Sequence, residues 1–164
     1  MKDDEKKTIL LVDDHPINID MLIAILGDTY NIMVATGGAQ ALDLATQQPD
    51  LILLDIMMPE MDGYEVCRRL KSAPAISGIP VIFVTGMDDP DDEIKGLSLG
   101  AVDYFIKPMH TAITLARIKT HLDLKQIQDE LQELNRNLKQ QVRTEASKNA
   151  NMERHKLPGK PSDL

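Results

Sequence analysis

Residues 50–63 read DLILLDIMMPEMDG. Four successive apolar side chains, Leu51–Leu54, end in Asp55, and the loop that follows carries Pro59 and Gly63. A short apolar run bounded by turn residues reads as a strand covered on both faces. An acid at the carboxyl end of such a strand faces the edge where open α/β sheets bind their ligands.

The same pattern recurs on both sides. Thr8–Val12 (TILLV) reads as a strand closed by Asp13-Asp14-His15-Pro16, with Pro16 suited to the first turn of a helix. Ile17, Met21, Ala24 and Ile25 recur at helical spacing, and Gly27 lies near the stop. Ile32–Ala35 is a second strand, broken at Gly37-Gly38, and Ala39–Gln47 reads as a helix. Tyr64–Lys71 is helical; Val81–Val84 (VIFV) is a fourth strand ending in Thr85-Gly86. A helix opens near Pro90 and runs to about Leu99, and Tyr104–Ile106 is a fifth strand closed by Lys107-Pro108. From about Thr111 a last helix begins. Strands that alternate with helices predict an α/β domain with a parallel sheet, and right-handed crossovers leave a few doubly wound topologies.

The strand ends therefore gather Asp13, Asp14, Asp55, Thr85 and Lys107 at one edge. Each alone has an ordinary reading: an aspartate caps a helix, a threonine fills a strand, a lysine is solvated, and His15 is a solvated loop residue, with a metal role as the minor alternative. Together they predict a site. Three close carboxylates repel one another unless a cation joins them, and hard oxygen donors suit Mg²⁺, with Mn²⁺ as a substitute. Asp55 would be a nucleophile forming an aspartyl phosphate, with Lys107 and Thr85 holding phosphoryl oxygens.

The segments ILLVDDHPIN, DLILLDIMMPEMDGYEVCRRLK, IPVIFVTG and GAVDYFIKP resemble the receiver domain of bacterial two-component response regulators over residues 7–124. The resemblance implies a flavodoxin-like, five-stranded sheet in order 2-1-3-4-5. It implies that Asp55 is the phosphoacceptor, fed by a phosphohistidine on a sensor kinase or phosphotransfer protein. It implies that Asp13 and Asp14 hold Mg²⁺, one directly and one mainly through water, and that the Met57 backbone carbonyl completes the protein ligands. Lys107 would pair with the phosphoryl group, and the Lys107–Pro108 bond would be cis. Thr85 and Tyr104 would be the switch pair, Tyr104 turning inward as Thr85 moves and reshaping the face made by the fourth helix, fifth strand and fifth helix.

Three residues depart from the common pattern. Met109 stands where the family usually has Phe, in a packing role. Met57 and Met87 stand where many relatives carry polar residues; they either keep the attacking water unoriented, so that the aspartyl phosphate is long-lived, or simply fill the loop surface.

The last helix outruns the domain. Leu124, Ile127, Leu131, Leu134 and Leu138 alternate three and four residues apart, and Val142 follows after a slip. That seam predicts a coiled-coil pairing with a second copy; the alternative is an amphipathic helix packed on its own domain. ARIKTHLDLKQIQDELQELN resembles the junction between a receiver and an output domain, often a cyclic-dinucleotide enzyme, so a further domain is an open expectation. The expected division is a receiver over 1–124, a helical coiled-coil linker over 125–150 and a disordered tail over 151–164.

Composition fits a globular signalling module of the cytoplasm. The chain is 43% hydrophobic, carries a net charge of −8 and has a single cysteine, Cys67. No apolar run approaches the ~20 residues of a membrane span. Residues 1–124 hold ten Lys/Arg against twenty Asp/Glu, which argues against nucleic acid and for a cation or basic partner. The competing enzyme reading is an aspartate-nucleophile phosphatase of the haloacid-dehalogenase type. It is disfavoured because that family's nucleophile lies in an Asp-x-Asp pair after its first strand. A nucleotide- or flavin-binding role is disfavoured because no Gly-x-x-x-x-Gly-Lys loop is present.

Overall fold

A computed structural model describes residues 5–155. Five strands alternate with five helices: β1 (Thr8–Val12), α1 (Pro16–Leu26), β2 (Asn31–Ala35), α2 (Gly38–Ala45), β3 (Leu51–Leu54), α3 (Gly63–Ser72), β4 (Val81–Thr85), α4 (Pro90–Ser98), β5 (Asp103–Ile106) and α5 (Thr111–His155). The strands form one sheet in the order β2-β1-β3-β4-β5, and every pairing is parallel. This is the doubly wound order anticipated from the four motifs.

The strands are apolar throughout because both sheet faces are covered. Leu10, Val12, Ile52, Leu54, Val81, Phe83 and Tyr104 pack with Ala41 and Ala45 of α2 and with Val66, Cys67 and Leu70 of α3. Ile9, Leu11, Leu51, Leu53, Ile82, Val84 and Phe105 pack with Leu22 and Leu26 of α1 and with Ile118 and Leu122 of α5. Burying each such side chain contributes roughly 1.5–3 kcal/mol. The register that aligns Val12 with Leu54 and Thr85 with Ile106 brings the strand ends level.

Helix α1 corrects the sequence reading. Ile19, Leu22 and Leu26 are its buried residues, whereas Ile17 and Met21 are exposed. The helix is apolar nearly all round, so spacing alone admits more than one inward face. Helix α5 also runs on to His155, so residues 151–155 are helical where a disordered tail was expected. Residues 156–164, with Leu157-Pro158-Gly159 among them, lie outside the described residues.

The chain divides into two compact units, residues 1–123 and 124–164. In the second, Leu124, Ile127, Leu131, Leu134, Leu138 and Val142 are 48–68% exposed. Among the described residues no helix is long and apolar enough to cross a membrane.

Helix α3 starts against the end of β3. Its Gly63 N–H donates to Ile56 O at 2.7 Å, and Asp62 caps it by accepting from Glu65 N at 2.9 Å. A methyl group on Gly63 would lie 2.2 Å from Asp55 O. Backbone is at fault there, so the strain cannot relax through a rotamer. Gly63→Ala is therefore expected to lower stability by about 1–3 kcal/mol, read as a lower urea midpoint with an unchanged slope. An unchanged midpoint would contradict this packing.

Candidate functional site

The carboxyl ends of β1, β3, β4 and β5 assemble the site. Asp13 continues β1, and its N–H donates to Ala35 O at 3.1 Å. Asp55 continues β3, and its N–H donates to Val12 O at 2.9 Å. These ladder bonds fix both backbones, so the two acids stand side by side and are buried, Asp13 at 2% and Asp55 at 6% exposure. Thr85 ends β4 and is buried, and its carbonyl accepts from Lys107 N at 2.8 Å. The Lys107–Pro108 bond is cis.

Lys107 Nζ lies 3.0 Å from Asp13 Oδ2, an ion pair spanning the first and last strand ends. The other Asp13 oxygen accepts from His15 N at 2.9 Å. Asp55 Oδ1 accepts from Ile56 N at 2.9 Å. Burial, and then the negative charge of Asp13, push the Asp55 carboxyl up to about 6; the Lys107 ammonium opposes them without cancelling them. Asp14 is half-buried, and its Oδ1 is shielded from solvent with no hydrogen-bond partner.

One ligand atom from each of Asp13, Asp14, His15 and Asp55 falls within 4.8 Å of the others. The structure thus brings together the acids that the strand ends predicted and adds His15, read from sequence as a solvated loop residue. The signal available was its place directly after the acidic pair. Met57 lies on the loop after Asp55 with its side chain exposed.

Thr85 and Tyr104, the expected switch pair, meet through the main chain of Met87. Its N–H donates to Thr85 Oγ1 at 3.3 Å, and its carbonyl accepts from the Tyr104 hydroxyl at 3.1 Å. Tyr104 is already inside, 4% exposed, where an outward ring awaiting Thr85 was expected. The ring is held by Phe83, at 6.3 Å between centroids, and burial pushes its hydroxyl up to about 12. Gly96 of α4 lets that helix approach, since a Cβ there would lie 2.8 Å from the Phe83 ring. Tyr64 packs edge-on to Phe83 and donates to Asp92 O at 3.2 Å, a tie from α3 to α4 that no motif or spacing singles out.

Met109 packs against the α1–α5 face of the core, as a packing role requires. A cleft of about 280 Å³ lies beside it, lined by Asn18, Met21, Leu22, Ile25, Lys107 and Pro108.

Comparison with known proteins agrees with this geometry. The family model described as the response regulator receiver domain matches residues 9–119. A Vibrio cholerae protein named probable cyclic di-GMP phosphodiesterase is 47% identical over 84% of this chain and 31% of its own length. Response regulator PleD of Caulobacter vibrioides is 42% identical over 76% of this chain and 28% of its own length. The chain thus spans about a third of the length of these curated relatives. Among solved structures, a putative response regulator from Chloroflexus aurantiacus superposes with a TM-score of 0.69 at 31% identity, covering 73% of this chain and 99% of that one. The beryllofluoride-activated receiver domain of Klebsiella pneumoniae RstA gives 0.66 at 36% identity, covering 71% and 98%. Nothing in these likenesses supports the phosphatase reading. Four matched motifs, the sheet order and the acids gathered at its edge agree with the family model, and the chain belongs to the response regulator receiver domain family.

Proposed function

We propose that the domain accepts a phosphoryl group on Asp55, with a divalent cation at Asp13 and Asp14, and relays the change through Thr85, Met87 and Tyr104 to a second copy of the chain. The observation that carries the reading is the Asp55 carboxylate, buried beside Asp13 with its pKa raised, at the edge where Lys107 also ends.

The donors fit Mg²⁺ or Mn²⁺: carboxylate oxygens, one of them a buried acceptor without a partner, in a group whose net charge is negative. The Met57 carbonyl is the further protein ligand in this reading. When bound, the ion supplies charge neutralisation and a hold on phosphoryl oxygen. The remaining work falls to the chain. An Asp55 carboxylate oxygen bonds to phosphorus as the bond to the donor breaks. Lys107 swings from Asp13 Oδ2 to a phosphoryl oxygen. Thr85 Oγ1 turns to another oxygen and so releases Met87 N, and the Met87 peptide carries that shift to the Tyr104 hydroxyl. Met57 and Met87 offer no side-chain group to orient water, so the adduct is long-lived. No phosphate ester is turned over; the chain loses only its own aspartyl phosphoryl group, slowly, to water.

The donor is a phosphohistidine on a sensor kinase or phosphotransfer protein. Met21 of α1, exposed at the cleft that Lys107 and Met109 also line, and the exposed Ile17 on the same helix supply an apolar landing surface. Ile94 and Leu97 of α4, Val102 just before β5 and Ile113 at the start of α5 are exposed, and the seam from Leu124 to Val142 is exposed further on. Both suit pairing of two copies, by the first surface and by the helical seam.

Incubation with acetyl phosphate and Mg²⁺, followed by intact mass, is expected to show one added phosphoryl group that Asp55→Asn abolishes and Lys107→Ala slows. Polar residues at 57 and 87 should shorten the life of the adduct several-fold. Label retained in Asp55→Asn would overturn the assignment.

The raised Asp55 pKa also sets a pH dependence. The folded chain holds a proton that the unfolded chain releases, so without dication stability falls as pH rises from about 4 through about 6. Asp55→Asn should unfold at higher urea than wild type at neutral pH in EDTA, with the gap closing below pH 4. Equal midpoints at both pH values would contradict the repulsion. Sedimentation with and without beryllofluoride should show stronger self-association in the adduct. A monomer in both states would remove the pairing.

A further inference from the structure

His15 has no assigned task, yet its ring stands among the acids. Nδ1 is 3.0 Å from Asp14 Oδ1 and 3.4 Å from Asp13 Oδ1. The nearer approach makes no hydrogen bond, because Asp14 Oδ1 is without a partner. Two donor atoms at that distance that do not form a hydrogen bond with each other are spaced as neighbouring ligands are. Donors each about 2.1 Å from one ion and at right angles lie about 3 Å apart. His15 also precedes α1 without capping it through its side chain, so the ring is not committed to the helix.

We infer that His15 is a metal ligand of this site, and that its imidazole selects first-row transition ions such as Mn²⁺ over Mg²⁺. The inference rests on the divalent-cation reading of the acidic group and refines it. Carboxylates alone treat the two ions as hard cations of similar demand. Mg²⁺ holds its waters and gains little from nitrogen, whereas transition ions accept imidazole readily. The neutral ring gives up its Nδ1 lone pair between Asp13 Oδ1 and Asp14 Oδ1, and Nε2 stays toward solvent. The other three ligand atoms come from Asp13, Asp14 and Asp55, so the ring completes a mixed nitrogen and oxygen set.

The test is Mn²⁺ binding to the whole chain at neutral pH, followed by electron paramagnetic resonance. Pulsed spectra report a directly bonded nitrogen, and titration gives the affinity. Wild type should show one bound Mn²⁺ with nitrogen coupling. His15→Ala should lose the coupling and bind Mn²⁺ about tenfold more weakly, with a smaller loss for Mg²⁺ measured by competition. Asp13→Asn should lose the ion in either background. Bound Mn²⁺ without nitrogen coupling, at equal affinity in wild type and His15→Ala, would overturn the role of His15 and leave the acidic site standing. Tighter binding by His15→Ala would also overturn it, since the ring would then act as a repelling cation. No Mn²⁺ bound to wild type would defeat both the ligand role and the cation reading beneath it.

Discussion

Carboxylates that cannot escape one another govern this molecule. The ladder bonds Asp13 N to Ala35 O and Asp55 N to Val12 O leave two buried acids side by side, with Asp14 next in the chain. The Lys107 ammonium, 3.0 Å from Asp13, offsets them directly, and it does not restore Asp55 to an ordinary carboxylate. Such an edge gains by taking up positive charge, and with it a phosphoryl group, because the sheet supplies the repulsion in advance.

The same edge is linked to Tyr104 through one residue. Met87 donates its N–H to Thr85 Oγ1 and accepts the Tyr104 hydroxyl on its carbonyl, so the two side chains share a backbone partner. Behind them Tyr64, Phe83 and Tyr104 form a continuous aromatic layer under α4, with Gly96 permitting the close seat. In the proposed relay, a small displacement at Thr85 would reach α4 and β5 through these packed rings.

Much of this was legible in the amino acids because the strands are short apolar runs punctuated by chemistry. Leu51–Leu54 and Thr8–Val12 were bounded correctly, and the acids, Thr85 and Lys107 fell at one edge because parallel topology puts every strand end there. What escaped reading depends on three-dimensional competition. The inward face of α1 was missed because Ile17, Met21, Ile19 and Leu22 all satisfy a helical period, and only packing against β1 and β3 chooses among them. The ion pair of Lys107 with Asp13 in the unmodified chain was not read, because only the fold brings the first and last strand ends together. Tyr104 was expected outside; a backbone acceptor at Met87 and the Phe83 ring hold it within. His15 is exposed, as read; its approach to Asp13 and Asp14 was not legible, because nothing in spacing reveals where an exposed ring turns.

The exchange of partners by Lys107 is the central claim in its simplest form. A crystal structure of the beryllofluoride adduct would test it directly. The account predicts beryllium bonded to an Asp55 oxygen, Lys107 Nζ moved off Asp13 Oδ2 onto fluoride, and Thr85 Oγ1 turned toward a second fluoride. An adduct in which Lys107 still holds Asp13, or in which the fluoride lies away from Asp55, would contradict it.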